Sequence, residues 1–230
     1  MRHTPDAVML FAAGFGTRMG ALTKARPKPL LSVAGKPLLD HALDLTNAVK
    51  PTKTVVNAHY KHSQIEQHLA ERDVFVSIET PKILDTGGGL RHALPHLGDG
   101  PVYTGNTDAV WHGPNPFDML RTAWQPEIMD ALLLCVPRAQ AIGYTRNGDF
   151  FIDDDGRLNR GPGMVYTGVQ ILKTHGLCTI DKSVFSLNLL WDKMDAEGRL
   201  YGLTYPGTWC DVGTPEGIGL AEAMLDEQNV

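Results

Sequence analysis

The chain has no apolar run approaching the roughly 18 residues that a membrane-spanning helix requires. Its polar start, MRHTPD, lacks the apolar centre of a secretory signal, so no membrane partner is expected. Cysteine is scarce. Cys135, Cys178 and Cys210 are far apart and odd in number, which gives neither a zinc spacing nor a disulfide framework and points to the reducing cytoplasm. The nine histidines form no H-x-x-x-H pattern with a supporting acid, so zinc-peptidase chemistry is not expected. Positive charge is not in excess either. With 21 Lys and Arg against 26 Asp and Glu, the net charge is −5, the wrong sign for a nucleic-acid binder.

What remains is an ordinary globular composition in 230 residues, enough for one good core and a single domain over 1–230. Short apolar runs alternate with amphipathic segments, the pattern of βα units around a mostly parallel, Rossmann-like sheet flanked by helices. Strands are expected at Val8–Phe11, Thr54–Asn57, Val74–Glu79, Val102–Thr104 and Ala131–Val136. Helices are expected at Pro37–Ala48, His62–Glu71, from Gly88, at Phe117–Gln125 and at Pro215–Glu227. Between Asp149 and Leu172 the signals turn to a hairpin, Phe150–Ile152 and Val165–Leu172 around an Asp-rich turn. No linker or repeat breaks the chain. A soft division near residue 110 would separate a nucleotide half, 1–110, from a sugar half, 111–230.

The most informative stretch is LFAAGFGTRMGALTKARPKPLL, residues 10–31. A buried strand that empties into a glycine-rich turn offers backbone N–H groups to phosphate oxygens without a Cβ in the way. The cations after the turn, Arg18, Lys24, Arg26 and Lys28, supply the opposite charge. A dinucleotide loop is a poor fit, because Met19 stands where the third glycine belongs and the second strand ends in Asn57 instead of an acid. A Walker loop fails for want of Gly-Lys-Ser/Thr. Lys28, stiffened by Pro27 and Pro29, is the leading candidate for an α-phosphate, and Arg18 for the β- and γ-phosphates.

This stretch, with LDTGGGL at 84–90, GNTD at 105–108, YTGVQIL at 166–172 and WCDVGTPE at 209–216, resembles the sugar-1-phosphate nucleotidyltransferases in order and over nearly the whole chain. The resemblance implies the nucleotide-diphospho-sugar transferase (GT-A-like) fold, without the C-terminal β-helix that such families often carry. It also implies transfer of a nucleotidyl group from an NTP to a sugar 1-phosphate, with pyrophosphate released. The short length and the TGGG block look most like the branch that uses UTP and N-acetylmuramate 1-phosphate in cell-wall recycling. Mannose 1-phosphate with GTP, or glucose 1-phosphate with dTTP or UTP, are the alternatives. A non-catalytic paralogue would be expected to have lost Lys28, Asp108 or Asp211, and all three are present.

The resemblance implies that Asp108 and Asp211 hold Mg²⁺ between them, few protein ligands being usual for that ion. The nucleotide would lie against Ala12, Ala13, Gly14, Gly16 and Thr17, with the base read by Asn57 and by Thr86, Gly87, Gly88 and Gly89, the glycine run lying flat against the ring. The sugar would meet Asn106, Gly148, Asp149, Thr167 and Gly168, with Arg160 as the cation for its phosphate and the Phe185–Asn188 block forming part of the pocket. Many relatives carry glycine where Thr107 stands, so its Cβ is expected to take space at the nucleotide. Partners would be the two small-molecule substrates, on a monomer or small homo-oligomer.

Overall fold

The computed structural model describes residues 3–226. Met1 and Arg2 of the polar start, and residue 227 at the end of the expected last helix, lie outside the described residues. The core is a seven-stranded sheet in the order Leu200–Thr204, Ala131–Val136, Val165–Lys173, Pro101–Asn106, Ala7–Phe11, Lys53–Ala58 and Phe75–Ile78. Val165–Lys173 runs antiparallel to both neighbours; every other pairing in the sheet is parallel. The sheet is therefore mostly parallel.

Strands covered on both faces must be apolar on both, and the first strand shows it. Val8 and Leu10 pack with Leu39, Ile65 and Phe117 on one side, while Ala7 and Met9 pack with Leu90, Leu97 and Trp191 on the other. The split follows the two-residue period of strand side chains. Local chemistry marks the helices too: Asn115 caps Pro116–Ala123, its side-chain oxygen accepting from the Phe117 and Asp118 amides at 3.0 and 3.2 Å. Among the described residues no helix is long and apolar enough to cross a membrane.

Two expectations need correction. Phe150–Ile152 pairs with Leu158–Arg160, not with Val165–Lys173, which instead joins the central sheet. A nine-residue apolar strand buries far more surface between two sheet strands than beside a short exposed ribbon, so burial overrides proximity in sequence. The helix expected from Gly88 begins earlier and spans Asp85–Leu97, placing the glycine run at its third to fifth positions.

A second, three-stranded sheet decides where the end of the chain lies. Thr208–Asp211 pairs antiparallel with Ala109–His112 and parallel with Ala141–Ile142, setting Asp211 opposite Ala109. The ends of the parallel strands, with Phe11, Asn57, Ile78 and Asn106, open toward the same edge, where ligands of open α/β sheets gather.

Candidate active site

At the end of the first strand the chain turns through residues 12–16 and folds back over Lys28. Gly16 makes that possible. It has φ +63°, and a Cβ there would stand 2.9 Å from both the Lys28 Cβ and the Thr23 Cγ2. Lys28 opens a short turn between Pro27 and Pro29, is 9% exposed, and donates from Nζ to Asp108 Oδ2 at 2.8 Å. Asp108 follows the Pro101–Asn106 strand. The residue before it, Thr107, donates its hydroxyl to the Phe11 carbonyl at 2.8 Å. Its hydroxyl is thus tied to the first strand and braces the Asp108 turn, and Thr107 also lines the smaller of the two cavities described below.

The Asp108 carbonyl accepts from the Val212 amide at 2.9 Å, so the two carboxylates, 103 positions apart in sequence, are held on adjoining turns. Burial, then the negative charge of Asp108, pushes the Asp211 carboxyl above its ordinary value, while Lys28, Arg18 and Arg146 pull it back. Arg18 arrives from the Thr17–Met19 turn. A Cβ on Gly213 would lie 2.7 Å from an Arg18 guanidinium nitrogen and 3.0 Å from both Asp211 oxygens, so the glycine leaves room for the two to meet. Two neighbouring carboxylates whose repulsion is only partly offset make a hard-oxygen donor set that suits a small divalent cation. Among the described residues no group of three or more His, Cys, Asp or Glu could hold a metal, so substrate oxygens or water would complete the sphere.

Two cavities meet here. The smaller, about 260 Å³, is lined by Ala12, Ala13, Gly14, Lys28, Asn57 and Thr86 among others. A Cβ on Gly14 would meet nothing within 4 Å, so the space before it is open. The larger, about 610 Å³, takes in Arg18, Arg146, Gly148, Asp149, Arg160, Thr167 and Asp211. Phe11, Thr86, Asn106 and Asp108 line both.

Several expected residues lie elsewhere or have other partners. Gly16 and Thr17 line neither cavity. Asn57 is 3% exposed, and its amide is engaged internally, accepting from the Ala12 amide at 2.7 Å and donating to Glu79 at 2.6 Å. It braces the cavity floor more than it offers a free edge to a base. The Gly87 and Gly88 amides both donate to the Phe185 carbonyl, at 2.9 and 3.0 Å. A Cβ on Gly88 would come 2.6 Å from the Ser183 carbonyl, and one on Gly89 2.9 Å from the Asn57 amide nitrogen. The glycine run lets a helix pack tightly against the 183–185 segment and the Asn57–Glu79 pair, and of the Thr86–Gly89 block only Thr86 lines the smaller cavity. Gly168, at φ +88°, does not line the larger cavity but makes room for Asn106, since a Cβ would stand 2.5 Å from the Asn106 amide nitrogen. The Thr167 hydroxyl donates to the Leu134 carbonyl at 2.7 Å, and Asp149 accepts from the Tyr144 hydroxyl and the Tyr166 amide at 3.1 and 3.0 Å.

Arg160 lines the larger cavity and ion-pairs with Asp192 at 2.6 Å. Arg146 lines it too and pulls the Asp211 carboxyl down; sequence reading missed it because it sits in a loop without a motif. Glu79 was also missed. It is fully buried and accepts from Asn57 and from the Leu84 amide at 2.7 Å. An acid at the carboxyl end of an expected parallel strand was the signal that could have found it.

A model of the MobA-like NTP transferase domain matches residues 8–146. The chain is 39% identical to N-acetylmuramate alpha-1-phosphate uridylyltransferase of Caulobacter vibrioides, covering 99% of this chain and all of that protein. It is 31% identical to the protein of the same name from Neisseria meningitidis, over 94% of this chain and 96% of that one. Among solved structures, HddC from Yersinia pseudotuberculosis complexed with GMP-PN superposes with a TM-score of 0.72 at 20% identity, covering 95% of this chain and 99% of that one, a likeness of fold.

Proposed function

The chain belongs to the MobA-like NTP transferase family, and we propose that within it the protein converts UTP and N-acetylmuramate 1-phosphate to UDP-N-acetylmuramate and pyrophosphate. The coarser assignment, a nucleotidyltransferase acting on a sugar 1-phosphate, is common to both full-length relatives. The observation that carries the reading is the junction of the two cavities, where Lys28 and Asp108 meet beside Asp211 and Arg18.

In the reaction a phosphate oxygen of the sugar 1-phosphate attacks the α-phosphorus of UTP. The bond from that phosphorus to the bridging oxygen breaks, and pyrophosphate leaves. The attacking phosphate is already ionised at neutral pH, its second pKa being about 6, so no general base is required. What must be supplied is alignment of two mutually repelling anions and stabilisation of charge at phosphorus. Lys28 fits the α-phosphate because its ammonium is nearly buried and held at the junction. Arg18 and Arg146 fit the remaining phosphate charge beside Asp211. Asp108 and Asp211 would hold Mg²⁺, which when bound supplies charge neutralisation for the phosphates. The base would occupy the smaller cavity, whose limited volume suits a single ring, and the sugar the larger one. The reaction would take place in the cytoplasm and serve reuse of cell-wall sugar.

The test is pyrophosphate release with Mg²⁺ across four nucleoside triphosphates and a panel of sugar 1-phosphates, with Asp108→Ala and chelation as controls. Turnover selective for UTP and N-acetylmuramate 1-phosphate, lost in both controls, is expected. Selective turnover of GTP with mannose 1-phosphate would replace the substrates and keep the chemistry. Tight nucleotide binding without turnover of any pair would refute the proposal.

A further inference from the structure

With N-acetylmuramate 1-phosphate as the substrate, as proposed above, the larger cavity must receive a sugar that is anionic at two places: the phosphate on C1 and the carboxylate of the lactyl ether on C3. The cations lining that cavity divide accordingly. Arg18 and Asp211 both crowd the Cβ position of Gly213, and Arg146 lies over the Tyr144 ring, which meets Trp209 two positions before Asp211, so these two cations serve the phosphate end. Arg160 has neither contact. It belongs to the Phe150–Ile152 and Leu158–Arg160 hairpin, which is fastened to the edge strand Leu200–Thr204 by a bridge between Arg157 and Tyr201 and by the Gly202 amide donating to the Gly156 carbonyl at 2.9 Å. Arg160 is at the hairpin's other end, opposite Phe150, and its ion-pair partner Asp192 lies on the Asn188–Ala196 helix.

We propose that Arg160 is the specificity residue that reads the lactyl carboxylate. Its guanidinium carbon lies 5.4 Å from the Phe150 ring centroid, and Phe150 meets Trp191 edge-on, as does Tyr166. These rings give the sugar's C–H face an apolar wall and leave Arg160 at its rim. One guanidinium nitrogen contacts Asp192, so a carboxylate is the group that this position already accepts. Both partners are about half exposed, 45% and 55%, and a pair so placed contributes little to stability. A substrate carboxylate can therefore share or displace Asp192, using the donors that the planar fork still offers.

The experiment compares kcat/KM with UTP for N-acetylmuramate 1-phosphate and for its lactyl methyl ester, which removes the charge and adds one methyl group. The enzyme as it stands should prefer the acid by at least about tenfold, as expected for one charge-assisted contact. In Arg160→Gln that preference should collapse toward one, mainly through KM for the acid, with Arg160→Lys intermediate because it keeps charge without the fork. Asp192→Asn, which removes the competing carboxylate, should keep or raise the preference. An unchanged ratio in Arg160→Gln, or equal losses on acid and ester, would overturn the inference, the latter making Arg160 a phosphate anchor or a hairpin brace. Failure of the unmodified enzyme to use N-acetylmuramate 1-phosphate at all, alongside turnover of another sugar, would instead sink the substrate assignment, and would be seen before any variant is made.

Discussion

Replacing Lys28 by Met keeps the length and the apolar stem of the side chain and removes only its charge. The ammonium is 2.8 Å from Asp108 Oδ2, and the side chains are 11% and 34% exposed. If Lys28 meets charge developing at the α-phosphate about 4 Å away, an effective dielectric near 20 makes that interaction worth about 4 kcal/mol. At about 1.4 kcal/mol per power of ten, kcat/KM should fall about 10³-fold, the range seen when one transition-state donor is lost. The folded state also loses the partner of a half-buried carboxylate. That places the stability loss between exposed and buried pairs, at about 1–2 kcal/mol, or about 2–8 °C in Tm for a chain of this size. Pyrophosphate-coupled initial rates give the first quantity and a thermal melt the second. A variant that melts lower yet keeps kcat/KM within tenfold would refute the reasoning, and Lys28 would then be only the counter-ion of Asp108.

Other expectations follow from the geometry elsewhere. Burial pushes the Asp130 carboxyl up, but hydrogen bonds from Lys173 and Arg199, both 2.8 Å, win and hold it below the ordinary 3.8. A depressed folded value means that its contribution is complete above about pH 4 and is lost as pH falls through the folded pKa. Asp130→Asn should therefore melt about 6–12 °C lower at pH 7, for a loss of about 3 kcal/mol. The gap to the unmodified protein should close on acidification, and a gap independent of pH would contradict this origin. Thr107→Gly removes the 2.8 Å bond to the Phe11 carbonyl, about 1 kcal/mol. It should lower kcat/KM several-fold in steady-state assays, whereas a gain would support the idea that the Cβ crowds the nucleotide. Gly168→Ala would drive a methyl to 2.5 Å from the Asn106 amide nitrogen. It should raise KM for the sugar phosphate about tenfold, a shift of about 1.4 kcal/mol, and an unchanged KM would remove Asn106 from the binding site.

Much of this architecture was legible in the order of residues, because it depends on neighbours a few positions apart. The unbroken apolar run Val8–Phe11 marks a strand buried on both faces. The glycine-rich turn after it, with the stiffened Lys28, marks a candidate phosphate site. Less legible were the features that depend on which distant surface a segment meets. The TGGG run looked like a ligand platform, yet its amides are taken up by Phe185, about 100 positions away. Asn57 looked like a free reader until Ala12 and Glu79 claimed both ends of its amide. Arg160 looked like the cation for the sugar phosphate, and only the fold sets it against Asp192, 32 positions away.

Composition, periodicity and turn chemistry by themselves determined that this is a mostly parallel α/β protein with a glycine-rich turn, a candidate phosphate site, after its first strand. Backbone sterics and local burial set those features within a few residues of chain. Only the tertiary structure decided that Asp211 stands beside Asp108, that Gly213 lies close to both Arg18 and Asp211, and that Arg18, Arg146 and Arg160 line one cavity. Such meetings are set by strand register and crossover, which bring together groups that no local interaction could have related.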